Sequence, residues 1–344
     1  MFKLHDWINI NFLDIWSLSE NPHPNAIDIL KNNQDKINWK MLSLNPNAIS
    51  LLKKNQKKIN WKNLYLNPNA IALLKENNNK LDVSDDLLLQ SNKYYVNKKK
   101  CKFCINWSNL SLNSSAIPLL KENKHKIDWN CLSTNRNAIT LLKENQDKIN
   151  WNMLSLNPNA ISLLEENQDK INWDHLSSNP NAISLLKKNQ DKINWYRLSS
   201  NPNAIEILKK NQDKINWDNL SFNPNAISLL KKNRHKISRL DFLSKNPNAI
   251  DLINTNRNTY MLWQYLSENP NAIELLKKNQ NKIKWKYFSK NPNIFTYDYI
   301  KIKENMKKSG IAEELMAYIF NPKNMEKWID WGFTEHQEII EFIN

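Results

Sequence analysis

Residues 195–216 read Trp195-Tyr-Arg-Leu-Ser-Ser-Asn-Pro-Asn-Ala-Ile-Glu-Ile-Leu-Lys-Lys-Asn-Gln-Asp-Lys-Ile-Asn216, and variants of this 22-residue repeat recur along the chain. The Asn-Pro-Asn-Ala-Ile core of the repeat begins at residues 45, 67, 157, 179, 201, 223, 246 and 269. Self-similarity at a fixed period of about 20–50 residues is typical of stacked repeat architectures. The spacing therefore predicts a solenoid of about a dozen repeats.

Each repeat divides into two short helices. Asn194 is a good N-cap for a first helix of about one turn, for which α and 3₁₀ geometry are both open. Asn201 precedes Pro202, which disfavours the helical region and ends this helix. Asn203 is expected to cap a second helix, with Glu206 in the capping-box place at the third helical residue.

The balance of asparagine and glycine suggests how the second helix ends. The 344 residues include 60 asparagines and 2 glycines. Asn211 follows the second helix, where a left-handed glycine commonly stands, so we expect Asn211 to adopt the left-handed conformation. Neither helix can bury its apolar face alone, and stacking of repeats provides the core. The predicted core consists of the equivalents of Trp195, Leu198, Ile205, Leu208 and Ile215.

The predicted fold class is all-α: an α-solenoid, or superhelix, of about twelve 22-residue two-helix repeats that forms a curved rod with terminal caps. Residues 1–20 are expected to form the N-terminal cap and 21–295 the solenoid. Residues 296–344, which hold both glycines, are expected to form a helical C-terminal cap. The period is irregular at 83–106 and at 238–262, which makes these segments candidate bends.

The segment Leu-Ser-x-Asn-Pro-Asn-Ala-Ile-x-x-Leu resembles the repeat of the leucine-rich repeat variant family. The resemblance covers roughly residues 15–295 and implies a superhelix of alternating α and 3₁₀ helices. The present repeat has 22 residues and carries Ala-Ile where the family has Thr-Pro, and the family's cysteine-rich iron–sulfur segment has no counterpart. The pattern is also similar to uncharacterised Asn/Lys/Ile-rich repeat proteins of amoeba-infecting giant viruses, which implies a viral protein in the host cytoplasm. Neither resemblance supplies an activity.

Charge and motifs limit the classes of function. The formal net charge is +15, and no stretch is apolar enough for a signal peptide or a membrane span. Three cysteines cannot make a disulfide framework, which favours a reducing compartment, the cytoplasm or the nucleus. No nucleophile–base pair, paired-carboxylate motif or phosphate-binding glycine loop is present. We therefore expect no enzyme activity, no cofactor and no small-molecule substrate.

One spacing is typical of a metal site. Cys101 and Cys104 form a Cys-x-x-Cys pair, and His125 and Cys131 are candidates to complete four zinc ligands. A lone Cys-x-x-Cys pair is a weak signal, so ordinary reduced cysteines are the alternative interpretation.

Lysines recur at two places of the repeat and predict a basic row on the stacked array. The row is most continuous after about residue 185, and its members are Lys187, Lys188, Lys192, Lys209, Lys210, Lys214, Lys231, Lys232 and Lys236. One interpretation is a set of solvated helix ends, where the helix dipole favours cations. The other is a sequence-indifferent binding track for nucleic acid.

A few places vary between repeats, and a repeat scaffold can acquire specificity there. Late repeats present aromatic residues beside lysines, and aromatic residues are enriched at interface cores. The candidate partner-binding residues are Tyr196, Arg197, Phe242, Tyr265, Tyr287, Lys286 and Lys290. The alternative for these places is core packing and indifferent surface. The leading hypothesis is a non-enzymatic scaffold that binds another protein along an extended face, and nucleic-acid binding is the alternative.

Overall fold

A computed structural model describes residues 1–78, 105–253, 259–319 and 321. Within these ranges short helices are the main regular structure, apart from two short strands, and they repeat with the expected period. The predicted all-α repeat fold is confirmed.

Each repeat begins with a short first helix that is α-helical. The first helices are Ile15–Leu18, Trp39–Leu42, Trp61–Leu64, Trp107–Leu112, Trp129–Ser133, Trp151–Leu154, Trp173–Ser177, Trp195–Ser199, Trp217–Leu220, Leu240–Leu243, Tyr260–Glu268 and Trp285–Phe288. The side chain of Asn194 accepts a hydrogen bond of 3.0 Å from the backbone N–H of Arg197, which confirms the predicted N-cap.

A second helix follows after the Asn-Pro-Asn turn. The second helices are Ala26–Lys31, Ile49–Lys54, Ile71–Asn78, Ile117–Glu122, Ile139–Lys143, Ile161–Glu165, Ile183–Lys188, Ile205–Lys210, Ile227–Lys232 and Ile273–Lys278, and a 3₁₀ helix takes this place at Pro247–Leu252. The predicted cap of this helix is wrong. Asn201 accepts a bond of 3.0 Å from the backbone N–H of Asn203 and so caps the turn, while Ala204 starts the helix with no side-chain cap. Glu206 forms an ion pair of 2.9 Å with Lys209 instead of a capping box.

The end of the second helix also differs from expectation. Asn211 has φ −131° rather than a left-handed value, and among the described residues Gly310 alone has a positive φ. The Asn211 side-chain amide donates a bond of 2.9 Å to the carbonyl of Ile207, four residues earlier. Asparagine thus satisfies a free helix-end carbonyl through its side chain, and no left-handed backbone is needed. A 3₁₀ turn such as Gln212–Lys214 then leads into the next repeat.

A buried asparagine joins each repeat to its neighbour. Asn201 is 1% exposed, and its Nδ2 donates to the carbonyls of Ser177 at 3.1 Å and Asn179 at 2.9 Å in the preceding repeat. The same amide pattern recurs at twelve places, which we call the asparagine ladder: Asn21, Asn45, Asn67, Asn113, Asn135, Asn157, Asn179, Asn201, Asn223, Asn246, Asn269 and Asn291.

The asparagine ladder closes on itself. Nδ2 of Asn21, in the first repeat, donates bonds of 2.9 Å to the carbonyls of Ser289 and Asn291 in the last. The backbone N–H of Asp14 donates to Ser289 Oγ at 2.8 Å, and the equivalent bond inside the array is 3.0 Å. The repeats therefore form a closed ring, and the expected open rod is wrong. We call the contact between the first and last repeats the seam.

The domain boundaries differ from the expected ones at the N-terminus. Residues Asp6–Ile294 form one compact body, so 6–20 belong to the ring rather than to a separate cap. The physical reason is that Asp14 and Asn21 make the bonds of an ordinary repeat, with the last repeat as their neighbour.

A second body contains Met1–His5 and the residues from Phe295 onward. Strand β1 (Phe2–Leu4) pairs antiparallel with β2 (Phe295–Tyr297). Two helices follow, Tyr299–Ser309 and Ile311–Ile319, and Gly310 between them has φ +71°. Of the C-terminal cap expected at 296–344, the structure describes 296–319 and 321, and most of these residues are helical. Residues 322–344 lie outside the described part.

The two irregular segments have different outcomes. Nδ2 of Asn113 donates directly to the carbonyl of Asn67 at 3.0 Å, so no residue of the segment 83–106 lies between them in the asparagine ladder. Most of this segment lies outside the described residues. At 238–262, Asn246 keeps its ladder bond of 2.9 Å to Asn223, and the 3₁₀ helix Pro247–Leu252 replaces the second α-helix.

The predicted core is partly confirmed. Leu198 and Leu208 are fully buried and Ile215 is 7% exposed. Trp195 and Ile205 are half-buried like most of their described equivalents, so assigning these two places to a continuous core is wrong for most repeats, with Trp263 and Ile273 among the buried exceptions. Lys214 Nζ lies 4.8 Å from the ring centroid of Trp195 and covers part of its exposed surface.

We predict that Asn201→Asp strongly destabilises the ring. A carboxylate at this position still accepts from the backbone N–H of Asn203, but it cannot donate. The buried carbonyls of Ser177 and Asn179 therefore lose their donor and lie next to a buried negative charge. Unpaired buried polar groups cost about 1–3 kcal/mol each, so urea denaturation should show a loss of about 3 kcal/mol or more. Asn203→Ala, which removes one exposed cross-repeat bond, should cost about 1 kcal/mol. Equal effects of the two variants would contradict this role of the ladder.

Candidate interaction surface

The closed ring defines an inner side. Neighbouring repeats contact each other most closely along their first helices and their Asn-Pro-Asn turns, whereas the second helices are farther apart. In a closed ring the neighbours are closest where the circumference is shortest. The first helices and the turns therefore lie on the inner side, and the second helices lie on the outer side.

Two of the variable places of the repeat lie along the first helices and form what we call the inner row, whereas the places of Tyr196 and Glu206 also vary and lie outside it. It consists of the side chains at the places of Arg197 and Ser200. At the first place these are Ser17, Met41, Asn63, Asn109, Cys131, Met153, His175, Arg197, Asn219, Phe242, Tyr265 and Tyr287. At the second place they are Glu20, Leu44, Leu66, Leu112, Thr134, Leu156, Ser178, Ser200, Phe222, Lys245, Glu268 and Lys290. Closure makes the inner row continuous.

An aromatic and cationic cluster occupies the late part of the inner row. The rings of Phe222 and Phe242 lie 4.7 Å apart between centroids. Lys245 Nζ lies 4.1 Å from the ring centroid of Tyr265 and 5.8 Å from that of Phe222, and the Arg239 guanidinium lies 4.2 Å from the centroid of Phe242. Cation–π contacts of this kind hold the rings in place. The structure thus brings the sequence-predicted Phe242 and Tyr265 together in one cluster.

Tyr287 continues this cluster toward the seam. Burial raises the pKa of Tyr287, and the neighbouring Tyr260 adds to this shift. Lys284 Nζ lies 4.6 Å from the ring centroid of Tyr260.

Charges alternate along the inner row across the seam. Lys245, Glu268, Lys290 and Glu20 follow one another in successive repeats. Lys290 Nζ lies 2.8 Å from Glu20 Oε2, and both side chains are 27% exposed. Burial raises the pKa of Glu268, and the two lysines oppose this shift. We call these four residues the charge row.

The early part of the inner row carries several large apolar side chains, mainly leucines at the Ser200 place. Leu112, Met153 and Leu156 are 42%, 36% and 36% exposed, and Met41 and Leu44 are half-buried at equivalent places. Large side chains with this exposure on a continuous row form an apolar arc, which differs in chemistry from the aromatic and cationic cluster.

The remaining predicted partner-binding residues stand apart from the cluster. Tyr196 is 62% exposed and Lys286 is exposed, one residue before the inner row on their helices. Among the described residues, no hydrogen bond, ion pair or ring contact joins either side chain to the cluster. Arg197 is half-buried and belongs to the inner row.

Lysines cover the tryptophans of the ring. In eight repeats a lysine Nζ lies 4.7–5.3 Å from the centroid of the tryptophan that starts the same repeat. The pairs are Lys58–Trp39, Lys126–Trp107, Lys148–Trp129, Lys170–Trp151, Lys192–Trp173, Lys214–Trp195, Lys236–Trp217 and Lys282–Trp263. The predicted basic row therefore includes three lysines that make cation–π contacts with tryptophan rings: Lys192, Lys214 and Lys236.

The other members of the basic row lie at the ends of second helices, on the outer side. All are exposed, and Lys209 pairs with Glu206. Across the described part of the chain, no carboxylate lies within 4 Å of the remaining five, which are Lys187, Lys188, Lys210, Lys231 and Lys232.

The predicted zinc ligands are not assembled within the described residues. Cys101 and Cys104 lie outside them. Cys131 is a half-buried free cysteine whose pKa is raised by burial and by Asp128, which disfavours the thiolate that binds metal. His125 is exposed, and no cluster of three potential ligands occurs in the part of the chain that the structure describes.

Comparison with protein-family models, curated proteins and solved structures finds no match to this chain. None of the helices in the described ranges combines the length and the apolar character that crossing a membrane requires.

Sequence reasoning missed two contributors to this surface. Glu20 was assigned to a terminal cap, and nothing local indicates that it meets Lys290 across 270 positions of chain. Arg239 stands in an irregular repeat, and its stacking on Phe242 has no counterpart among the repeats as far as the structure describes them. At the Ser200 place, lysine and glutamate alternate in the late repeats. If the first repeat is taken to follow the last, this alternation predicts that Glu20 lies next to Lys290.

We predict that Glu268→Gln stabilises the ring at neutral pH. The folded-state pKa of Glu268 lies above its usual value, so protonation favours the fold and the ionised form opposes it. The variant should gain a few tenths to about 1 kcal/mol at about pH 7, and the gain should vanish as the pH falls to about 4. Thermal unfolding at both pH values measures this, with exposed Glu274→Gln as the control. A destabilised variant at neutral pH would contradict the assignment.

Proposed function

We propose that this chain is a non-enzymatic ring scaffold that binds a segment of another protein along the inner row. The observation that carries the proposal is that two of the variable places, those of Arg197 and Ser200, lie on one continuous row around the ring and bear most of its aromatic and large apolar variation. Buried places of the repeat are nearly invariant because the asparagine ladder and the core use them. Binding specificity therefore belongs to the places that vary.

The chemistry of the inner row supports a partner with both apolar and acidic side chains. The cluster around Phe242 and Tyr265 offers aromatic faces and the exposed cation Lys245, while the Arg239 guanidinium is already paired with Asp241 at 2.8 Å. The arc at Leu112, Met153 and Leu156 offers exposed apolar surface. Aromatic residues and arginine are the residue types that most often dominate interface energies. The net charge of +15 also favours encounter with an acidic partner.

Peptide display tests this proposal. Selection against the immobilised wild-type ring should enrich peptides that combine Asp or Glu with apolar residues. Tyr265→Ala plus Tyr287→Ala should weaken the selected peptides by about tenfold or more, because both changes remove aromatic anchors. Fluorescence anisotropy with a labelled peptide measures the change.

The matched control is Ser184→Ala plus Ser228→Ala, which alters two exposed second-helix residues on the outer side. Peptides should bind this variant as they bind the wild type. Peptides that bind the tyrosine variant as tightly as the wild type would rule out the cluster as the binding surface.

Nucleic-acid binding is a second candidate, and a specific observation favours it. Lys187, Lys188, Lys210, Lys231 and Lys232 extend from neighbouring repeats on the outer side, with no ion-pair partner in the described ranges. Such a row can neutralise phosphates without reading sequence. Because the ring is closed, this row of lysines is curved, and a nucleic-acid strand that contacts it has to follow the curve.

The salt dependence of binding tests the second candidate. Affinity for a labelled random-sequence single strand should fall steeply between about 50 and 200 mM salt. Lys231→Gln plus Lys232→Gln should reduce the log–log slope by about 2, one for each lost phosphate contact. Tyr265→Ala should leave the slope unchanged. Absence of binding at the lower salt concentration would exclude this function.

A further inference from the structure

The irregular repeat that begins at Leu240 differs from its neighbours at two places of the repeat. In the eight repeats with a lysine over a tryptophan, the lysine follows the tryptophan by 19 positions, as Lys214 follows Trp195. The same two places of the irregular repeat hold Leu240 and Thr259. This repeat therefore supplies neither the indole nor the lysine that covers it.

A cavity of about 250 Å³ lies at these two places. It is at the N-terminal ends of two neighbouring first helices, Leu240–Leu243 and Tyr260–Glu268. The residues that line it are Ser238, Leu240, Asp241, Thr259, Met261 and Leu262. The cavity therefore lies where eight other repeats place an indole beneath a lysine.

The volume of the cavity fits one aromatic side chain. An apolar cavity of about 150 Å³ is large enough to bind benzene, whereas pockets for drug-sized ligands begin at about 300 Å³. A cavity of about 250 Å³ therefore accommodates a bicyclic ring such as indole and is too small for a larger ligand.

The walls of the cavity combine apolar surface with a hydrogen-bond acceptor. Leu240, Met261 and Leu262 are the apolar walls, and a methionine sulfur packs favourably against aromatic rings. The Arg239 guanidinium holds the pKa of Asp241 below its usual value, so this carboxylate is ionised at neutral pH. Arg239 donates to its two oxygens at 3.0 and 2.8 Å, and a carboxylate has about four acceptor sites. Acceptor capacity therefore remains for an indole N–H.

The cavity adjoins the aromatic and cationic cluster of the inner row. Asp241 on the cavity wall and Phe242 in the cluster are consecutive residues of one helix. Arg239 joins the two, because it pairs with Asp241 and lies 4.2 Å from the ring centroid of Phe242. A protein segment bound along the inner row is therefore close enough to place a side chain in the cavity.

We propose that this cavity, which we call the indole pocket, binds a tryptophan side chain of the protein segment that the ring receives along the inner row. The segment as the source of the tryptophan rests on the proposed function, whereas the fit of the pocket to an indole does not. The bound indole packs against Leu240 and Met261 and donates its N–H to the Asp241 carboxylate. It occupies the place that the repeat's own tryptophan has elsewhere in the ring.

Titration of the full-length chain with free indole tests the pocket. The chain is labelled with ¹³C at its methionine methyl groups, and Met261→Leu identifies the Met261 signal in the NMR spectrum. An aromatic ring shifts the signals of nuclei that pack against it, so indole should move the Met261 signal in a saturable way, with a Kd of about 1 mM or lower. A Met261 signal that stays in place, or that moves no more than those of Met41 and Met153 on the inner row, would overturn the proposal.

A variant that restores the regular repeat provides the second test. Leu240→Trp plus Thr259→Lys fills the pocket with the repeat's own pair, so the affinity for indole at Met261 should fall at least tenfold. The matched control, Ser228→Trp plus Ser184→Lys, adds the same side chains on the exposed outer side and should bind indole as the wild type does. Equal affinity of the restored variant and the control would overturn the pocket. Far-UV circular dichroism checks folding, and Leu240→Trp alone, which keeps the Thr259 N-cap, replaces the double variant if that unfolds.

Peptide selection separates the pocket from the proposed function. The wild-type ring should enrich peptides that contain tryptophan, and the restored variant should enrich acidic and apolar peptides without this preference. Selected peptides that lack tryptophan on the wild type would overturn the pocket as a peptide site and leave the scaffold function in place. Indole binding at Met261 without enrichment of any peptide would instead overturn the protein segment as the source of the indole.

Discussion

One hydrogen-bonded amide per repeat holds this ring together. The side chain of Asn201 donates to two carbonyls of the preceding repeat and accepts from the backbone N–H of Asn203, so one buried group satisfies three backbone groups. Aspartate lacks the donors, serine has a single donor, and glutamine is one methylene too long for the same turn. The buried Ser199 adds a second link, donating to the carbonyl of Trp195 and accepting from the backbone N–H of Asn216. Repeats as short as these, with helices of one or two turns, depend on such links because helices of this length are unstable alone.

The sequence predicted the helices of each repeat, but only part of how they are capped and packed, and it did not predict their closure. The period, the Asn194 cap and the burial of Leu198 and Leu208 follow from local pattern and propensity. The role of Asn211 was misjudged because sequence cannot distinguish an asparagine that adopts a left-handed backbone from one whose side chain bonds a free carbonyl. Closure was missed for a different reason. A small rotation per repeat decides between a rod and a ring, and that rotation is set by packing geometry that no single repeat encodes.

Closure also changes the meaning of the variable places. On an open rod, the aromatic residues of late repeats and the apolar residues of early repeats would be far apart. On the ring, the inner row brings Lys290 of the last repeat against Glu20 of the first and becomes continuous. The candidate site was therefore predictable in part: Phe242 and Tyr265 stood out as aromatic residues among lysines, but their stacking on Arg239 and Lys245 depends on neighbours in space. The lysines that cover the tryptophans were assigned to a basic row, because composition alone does not show that a charge rests on a ring.

Carbodiimide cross-linking of the wild-type chain, followed by mass spectrometry of the monomer fraction, tests the closed ring most directly. Zero-length coupling joins a lysine to a carboxylate in contact, and Lys290 and Glu20 are in contact across the seam at 2.8 Å. The account predicts a cross-link between these two residues within one chain, with a yield comparable to that of Lys53 and Glu76, which pair at 2.8 Å between adjacent repeats. A monomer that forms the Lys53–Glu76 cross-link and lacks the Lys290–Glu20 cross-link would contradict closure.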